Sequence, residues 1–326
     1  MYLIGDIGGT KTTLAVIKTE RPIKPQNIKT FKSGDYKGLQ LIIDEYLKEF
    51  PVEIEGASFG IAGPVKDNRV QATNLPWIIE GKEIAKALKI KETFLLNDLE
   101  ANAYGIFTLE EKDFYVLNKG NTCEGNQALI SAGTGLGQAG LFYDGKAHTP
   151  FACEGGHCDF APRNDQEIRL LNFARKSFSH VSYERFLSGK GITLIYHFLL
   201  EENNQKLSVE MEKLFREKDP AKVISQMGLA KEDLVCEQTL ELFISIYGAE
   251  AGNVALKFLP FNGLYVGGGI APKLIEKFKD KTFVNAFKDK GRFDKFLSDI
   301  PIKVVLNDRA ALLGSGEYIV RKNKDL

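Results

Sequence analysis

Three glycine-rich segments, each directly after a short apolar run, constrain the fold of this 326-residue chain more than any other feature. They are Asp6-Ile7-Gly8-Gly9-Thr10-Lys11, Ser131-Ala132-Gly133-Thr134-Gly135-Leu136-Gly137 and Gly267-Gly268-Gly269. Glycine at the end of a strand lets backbone N–H groups come close to an anion. One such loop is more often a plain turn, but three together, two of them carrying Gly-Thr, predict loops that hold phosphates.

The spacing of apolar residues predicts an α/β protein, because short apolar runs alternate with helix-length stretches. Residues 2–5 and 12–17 are expected to form two strands, joined as a hairpin by the first glycine segment. Asp35 is expected to cap a helix in which Leu39, Ile42 and Ile43 recur at helical spacing. Further strands are expected near residue 57 and over 94–98, 114–118, 128–133 and 263–269, and helices over 79–89, 165–177, 190–202, 237–257 and 272–279.

Charge and composition narrow the class of partner. The 43 Lys and Arg residues balance 43 Asp and Glu residues, which argues against a protein that binds nucleic acid. Four scattered cysteines do not make a disulfide framework, and the opening MYLIGD lacks a signal segment, so we expect a cytoplasmic protein. The longest uncharged stretch, 125–143, contains five glycines and would make a poor bilayer helix, so no membrane partner is expected. The length predicts roughly two domains.

Two familiar phosphate-binding motifs do not fit this chain. GLGQAG at 135–140 satisfies G-x-G-x-x-G, but the next residues, LFYDGKAH, are typical of a strand and turn, whereas a dinucleotide-binding fold needs a helix there. Neither Gly-Thr segment has the G-x-x-x-x-G-K-[ST] spacing of a P-loop. What fits is a nucleotide held by one glycine hairpin from each of two domains, with the third glycine loop at the adenosine.

A second set of residues points to a ligand with several hydroxyl groups. Asn97 and Asp98 follow an apolar run, a position suited to a general base, although Asp or Asn there is also a common helix cap. Glu154 and His157 enclose two glycines, and Glu184 follows within HVSYERFLSG. Several acceptors at different angles suit a ligand whose hydroxyls must all be paired once water is excluded.

The cysteines near this set do not indicate zinc. Cys153 and Cys158 enclose His157, but Cys-x₄-Cys with an inner His is not a common tetrahedral spacing and no second pair lies nearby. We expect two small buried thiols and no structural zinc. His180 and His197 are interpreted as packing or surface residues.

Taken together, the motifs resemble those of bacterial-type glucokinases, in the hexokinase-like branch of the superfamily of sugar kinases, heat-shock proteins and actin. The resemblance runs nearly end to end, through DIGGTKTTLA, FGIAGPV, TNLPW, LLNDLEA, SAGTGLG, EGGHCDFAP, HVSYERFLSG, YVGGGIAP, FKDKGRF and LLGSG. It implies a two-lobed, actin-like (ribonuclease H-like) α/β fold, with a small domain of residues 1–108 plus 308–326 and a large domain of residues 109–307 around a cleft. It also implies a homodimer.

The resemblance implies a reaction and a role for each motif. ATP, with Mg²⁺, would give its γ-phosphoryl group to the 6-hydroxyl of glucose, with Asp98 as the catalytic base. The sugar hydroxyls would bind Asn97, Glu154, His157 and Glu184. The predicted nucleotide site consists of Asp6, which would hold Mg²⁺ through water, Gly8, Gly9, Thr10, Lys11, Gly133 and Thr134 at the phosphates, and Gly267, Gly268 and Gly269 at the adenosine.

Three alternatives remain at this stage. A broader hexose or N-acylhexosamine kinase would share every motif. A sugar-responsive regulator would need a DNA-binding helix-turn-helix before the first glycine loop, and only five residues precede Asp6. An ATPase switch would lack the set of hydroxyl acceptors, so a kinase is the preferred interpretation.

Overall fold

The computed structural model describes residues 1–324, and its strands and helices alternate as the sequence predicts. The strands are β1 Tyr2–Ile7, β2 Lys11–Ile17, β3 Gln26–Lys32, β4 Gly56–Ile61, β5 Val65–Lys66, β6 Arg69–Gln71, β7 Ile78–Glu80, β8 Thr93–Asn97, β9 Phe114–Asn118, β10 Gln127–Ala132, β11 Leu136–Tyr143, β12 His148–Cys153, β13 Gly263–Gly267 and β14 Ile302–Val305. The helices are α1 Leu39–Glu49, α2 Gly81–Leu88, α3 Asp98–Ile106, α4 Asp165–Arg175, α5 Gly189–Glu202, α6 Val209–Glu217, α7 Pro220–Ala230, α8 Leu234–Phe258, α9 Ile275–Phe278, α10 Thr282–Lys288, α11 Asp294–Ser298 and α12 Ala310–Lys324.

The chain forms two compact units. The first unit comprises residues 1–113, 150–152 and 307–326, and the second comprises residues 114–149 and 153–306. The domain limits expected from the sequence, at 108/109 and 307/308, stay a prediction.

The first unit is built on a five-stranded sheet in the order β3-β2-β1-β4-β8. The strands β1, β2 and β3 are antiparallel neighbours, whereas β1, β4 and β8 run parallel. A small three-stranded sheet, β5-β6-β7, follows β4 in the chain. Because β1, β4 and β8 are parallel, their carboxyl ends lie at one edge of the sheet, where the residues that follow them converge.

The second unit repeats this plan with a six-stranded sheet in the order β12-β11-β10-β13-β14-β9. Strands β10 and β11 form an antiparallel hairpin, and β13 runs parallel to β10. The 25-residue helix α8 is buried along most of its length and packs on the sheet as well as on α5, α7 and α10. None of the helices within residues 1–324 combines the length and apolar character needed to cross a membrane.

Most predicted elements are present, and the hairpin around the first glycine segment is confirmed by the antiparallel pairing of β1 with β2. The expected cap at Asp35 is wrong. Ser33–Asp35 form a 3-10 turn, Asp35 pairs with Lys32 at 3.5 Å, and α1 begins four residues later, after Gly38. The helix expected over 79–89 loses its first two residues to β7, because Ile79 pairs with Val70 in the small sheet.

The sequence GLGQAG at 135–140 lies almost entirely in β11, so no dinucleotide-binding helix follows it. Residues 272–279 begin as a 3-10 turn, Ala271–Leu274, and only then continue as α9. The expected single helix there is divided into these two short segments, and only Ile275–Phe278 are α-helical.

Candidate active site

Three of the predicted site residues lie at the carboxyl edge of the first sheet. Asp6 is near the end of β1, opposite Gly60 of β4, and Asn97 ends β8 opposite Ile61. Asp98 is the first residue of α3. The sequence folds this way because β8 is an apolar run with a helix-capping residue at its end.

The two carboxylates at this edge influence each other. Burial, and then the negative charge of Asp98, raise the pKa of Asp6 to about 7. One Asp98 oxygen accepts the Leu99 N–H at 3.0 Å, at the start of α3 where a helix favours negative charge.

The side chain of Asn97 has a structural role that is visible directly. Its Oδ1 accepts the Leu99 N–H at 2.9 Å, which caps α3, and its Nδ2 donates to the Gly63 carbonyl at 3.0 Å. Each amide atom keeps one further hydrogen-bonding position. The capping interpretation is therefore confirmed, and the predicted contact with a sugar hydroxyl stays a prediction.

A serine that sequence analysis missed, Ser33, stabilises the first glycine hairpin through hydrogen bonds. The turn closes where the Gly8 N–H donates to the Lys11 carbonyl at 2.9 Å. Ser33 is fully buried, its Oγ donates to the Gly8 carbonyl at 2.8 Å, and its N–H donates to the Thr10 carbonyl at 3.1 Å. Thr12 Oγ1 lies 3.0 Å from Ser33 Oγ. A single serine at the end of a strand carries no motif, so no signal in the sequence could have found it.

Gly9 is required by packing. A Cβ at Gly9 would lie 2.6 Å from Cβ of Asn74, in the segment TNLPW. The backbone of the hairpin at Gly9 therefore lies against the Asn74 side chain, and any larger residue at Gly9 must displace one of them.

The second glycine hairpin, between β10 and β11, contacts one of the predicted sugar-binding carboxylates. The Gly133 N–H donates to the Gly135 carbonyl at 2.8 Å, which closes the turn. The Leu136 N–H donates to Glu184 Oε2 at 2.9 Å, and a Cβ at Gly135 would overlap that same carboxylate oxygen. Gly135 is thus glycine because a side chain must come close to its backbone.

Glu154, His157 and Glu184 lie on two neighbouring 3-10 turns of the second unit, Gly155–His157 and Tyr183–Arg185. The Tyr183 N–H donates to the Cys158 carbonyl at 3.1 Å, which joins the two turns. Nε2 of His157 is 3.8 Å from Glu184 Oε1, and both Glu154 and His157 are exposed. These polar groups are available to a ligand.

The third glycine segment lies beside the second hairpin. Ser131 of β10 is opposite Gly267 of β13, and Gly268, with φ of 83°, approaches the Ala132 carbonyl. The buried Tyr247 hydroxyl receives the Ala132 N–H at 3.1 Å and lies 3.5 Å from the Gly267 carbonyl. Both loops therefore leave the same edge of the second sheet.

The predicted residues thus form two groups. The first unit holds Asp6, Gly8, Gly9, Thr10, Lys11, Asn97 and Asp98, and the second holds Gly133, Thr134, Glu154, His157, Glu184, Gly267, Gly268 and Gly269. In the part of the chain that the structure describes, no cluster of three or more His, Cys, Asp or Glu side chains has a metal-binding arrangement. The expectation that Cys153 and Cys158 are both buried is wrong, because Cys158 is exposed and Cys153 is only partly buried.

The other histidines behave as packing or surface residues, as interpreted. His180 is more than half exposed and pairs with Asp159 at 2.9 Å. His197 packs against Tyr196 and Phe215, and burial lowers its pKa.

Comparison with known proteins gives the same answer over the whole length. The family model for glucokinase matches residues 3–322. The chain belongs to the glucokinase family. It is 40% identical over 333 residues to the glucokinase of Trichormus variabilis, covering 97% of both chains, and 35% identical over 318 residues to that of Escherichia coli O139:H28, covering 97% of this chain and 96% of the relative. The crystal structure of a glucokinase from an Antarctic psychrotroph superimposes with a TM-score of 0.86 at 30% identity, covering 98% of each chain.

Membership of the glucokinase family confirms the resemblance seen in the motifs. It also confirms the actin-like α/β fold class and the class of activity, an ATP-dependent hexose kinase.

Proposed function

We propose that this chain is a glucokinase that transfers the γ-phosphoryl group of ATP to the 6-hydroxyl of glucose, giving glucose 6-phosphate and ADP. The observation that carries the proposal is the position of Asp98, directly after a strand of the parallel part of the first sheet, in a chain of the glucokinase family. Asp6 lies at the same edge.

In this proposal Asp98 is the general base. Phosphoryl transfer needs little covalent chemistry from the protein, so the residues position the attacking hydroxyl and stabilise charge. The proton of the 6-hydroxyl moves to Asp98 as its oxygen attacks the γ-phosphorus. Asp98 lies at the start of α3, where a helix favours negative charge.

The sugar is held by Asn97, Glu154, His157 and Glu184. The 3.8 Å between His157 Nε2 and Glu184 Oε1 leaves room for one hydroxyl that donates to the carboxylate and accepts from the imidazole. A neutral ligand with several hydroxyls needs such local partners and no charged surface, in keeping with a net charge of zero.

The nucleotide is held by backbone amides of both glycine hairpins. The phosphates would lie against Gly8, Gly9 and Thr10, with Lys11 beside them, and against Gly133 and Thr134. The Gly8 and Gly133 N–H groups close the two turns, so the amides that follow them would meet the phosphates. Gly267, Gly268 and Gly269 would lie along the adenosine.

Mg²⁺ fits the carboxylates at the edge of the first sheet. Asp6 and Asp98 are near enough for the charge of one to raise the pKa of the other, and carboxylate oxygens are the ligands that Mg²⁺ prefers. Asp6 would hold the ion through water. Bound there with ATP, Mg²⁺ supplies positive charge that stabilises the phosphates during transfer.

We also propose that the protein is cytoplasmic and forms a homodimer. The cysteines of the described residues are all free thiols, which suits a cytoplasmic protein. The homodimer rests on the resemblance of the motifs alone.

A panel of substrates tests the proposal. The purified protein is assayed with ATP and glucose, mannose, fructose, glucosamine or N-acetylglucosamine, and then with glucose and ATP, ADP or polyphosphate. We expect the highest kcat/KM for glucose with ATP. An equal or higher value for an N-acylhexosamine would establish the broader kinase instead, and no activity on any hexose would contradict both.

A further inference from the structure

Glu250 is a carboxylate in the interior of the second unit that the proposed chemistry does not use. It lies in the middle of α8 and has no exposed surface. Burial raises the pKa of Glu250. Burial of a carboxyl group costs free energy unless each oxygen has a hydrogen-bond partner. The two partners of Glu250 therefore indicate its structural role.

The first partner reaches the turn that carries Glu154 and His157. Gln138 of β11 is almost fully buried, and its Nε2 donates to Glu250 Oε1 at 2.7 Å. The other amide atom, Gln138 Oε1, lies so close to Gly155 that a Cβ at that glycine would overlap it. The Cys153 thiol also lies 3.5 Å from the Gln138 carbonyl.

The second partner reaches the turn that carries Glu184. Asn253, one helical turn along α8, donates from Nδ2 to Glu250 Oε2 at 2.8 Å and to the Tyr183 hydroxyl at 3.0 Å. Tyr183 is buried and directly precedes Glu184. Glu250 therefore connects, through one amide on each side, to both 3-10 turns.

We propose that Glu250 is a positioning residue that fixes the two sugar-binding turns relative to each other. This inference rests on the proposed function, because it assumes that Glu154, His157 and Glu184 bind the sugar. Glu250 touches no substrate. Its hydrogen bonds keep the three sugar-binding side chains in one geometry, so their loss weakens glucose binding without changing the groups that meet it.

The hydrogen bonds of Glu250 predict which replacement preserves this function. In Glu250→Gln the new side-chain oxygen accepts from Gln138 Nε2. The new side-chain NH₂ donates to Asn253, whose amide group rotates so that its Oδ1 is the acceptor. The turned Asn253 oxygen can also accept from the Tyr183 hydroxyl, since a hydroxyl both donates and accepts. Leu leaves the buried Gln138 amide without its partner and takes from Asn253 one of its two hydrogen-bond acceptors, so that only the Tyr183 hydroxyl remains.

The test compares Glu250→Gln and Glu250→Leu in the full-length protein, with KM measured separately for glucose and ATP. We expect Glu250→Leu to raise the KM for glucose about tenfold with the KM for ATP within about twofold, and Glu250→Gln to keep both near the wild-type values. Leu240→Ala is the control. It removes a fully buried side chain from the same helix, but one that packs against Gly228 of α7.

A variant with a smaller disturbance guards against failure of Glu250→Leu to fold. Asn253 is only partly buried, so Asn253→Ala cuts one arm alone, and it should raise the KM for glucose about threefold. Parallel changes in both KM values, an unchanged KM for glucose, the same split in Leu240→Ala, or a Gln variant as poor as the Leu variant would overturn the inference. A wild-type protein that phosphorylates no glucose would instead contradict the proposed function itself.

Discussion

The two glycine hairpins look alike in sequence but are supported by different chemistry. The turn at Gly8–Lys11 is held by a buried hydroxyl, Ser33, and by close packing of Gly9 on Asn74. The turn at Gly133–Leu136 is held by the carboxylate of Glu184.

The difference indicates that the two hairpins affect different steps, the first turnover and ATP binding and the second also glucose binding. Ser33 behind the first hairpin bonds to Gly8, Thr10 and Thr12. Asn97, the residue predicted to bind sugar at the same sheet edge as Asp6 and Asp98, bonds instead to Leu99 and Gly63. The second hairpin forms a hydrogen bond with Glu184, a residue that is predicted to bind the sugar. Changes near the first should alter turnover or ATP binding, whereas changes in the second should also reach glucose binding.

The largest effect is expected at Asp98, on the side of the first hairpin. Asp98→Asn keeps the shape and the start of α3 but removes the base, so kcat should fall about 1,000-fold, within the range for a lost general base. The dissociation constant for glucose, measured by calorimetry, should change little. Near-normal turnover would remove Asp98 from the proposed role.

A pair of alanine variants in the second hairpin probes its link to the sugar. In Gly135→Ala the new methyl overlaps Glu184 Oε2, so we expect the KM for glucose to rise about 30-fold. Gly133→Ala is the matched control, because a Cβ there meets nothing within 4 Å. Any change in the control should concern ATP. Equal KM values for glucose in Gly135→Ala and Gly133→Ala would show that the contact of the second hairpin with Glu184 does not affect glucose binding.

The third expected effect is on stability and depends on pH. Because the pKa of Asp6 is raised to about 7, the folded protein keeps a proton that the unfolded chain loses from about pH 4 upward. Asp6 therefore destabilises the ligand-free protein progressively as pH rises from about 4 to 7. Asp6→Asn removes this penalty, so its free energy of unfolding should exceed that of wild type by about 4 kcal/mol at pH 8, about 1.4 kcal/mol for each unit by which the pKa is raised.

Urea unfolding of both proteins at pH 4.5 and 8 measures this difference. The two proteins should approach equal stability at the lower pH. A difference that is constant between the two pH values would show that Asp6 is ionised normally.

The smallest expected effect is at Ser33. Ser33→Ala removes one buried hydroxyl, worth about 1 kcal/mol, from behind the first hairpin, so the KM for ATP should rise about fivefold while that for glucose stays constant. Thr30→Val serves as the control, because it removes an exposed hydroxyl bonded to Thr13 on the same pair of strands. A rise in the KM for glucose in Ser33→Ala would break the distinction between the hairpins.

Sequence analysis reached the motifs and the main strands because both are local. The apolar run before Asn97 and Asp98 predicts a strand with its ligands at the end, and the structure has that strand. The hydrogen bonds that position the site residues could not be predicted in this way. Gln138 and Glu250 are 112 residues apart in the chain, and only the folded unit brings them together. A lone glutamate within a long helix is ordinarily on the solvent side, so nothing in the sequence distinguished Glu250. Asp35 failed as a cap for a related reason, because the segment after β3 is bound back to the first hairpin through Ser33.

The most direct test of the account is the identity of the product. Purified protein is incubated with ATP labelled in the γ-phosphoryl group and with glucose, and the products are followed by NMR. We predict that the label appears on the 6-oxygen of glucose, in step with the formation of ADP and at a rate that falls about 1,000-fold in Asp98→Asn. Label on another hydroxyl, release of free phosphate in place of a sugar phosphate, or a rate independent of Asp98 would contradict the account.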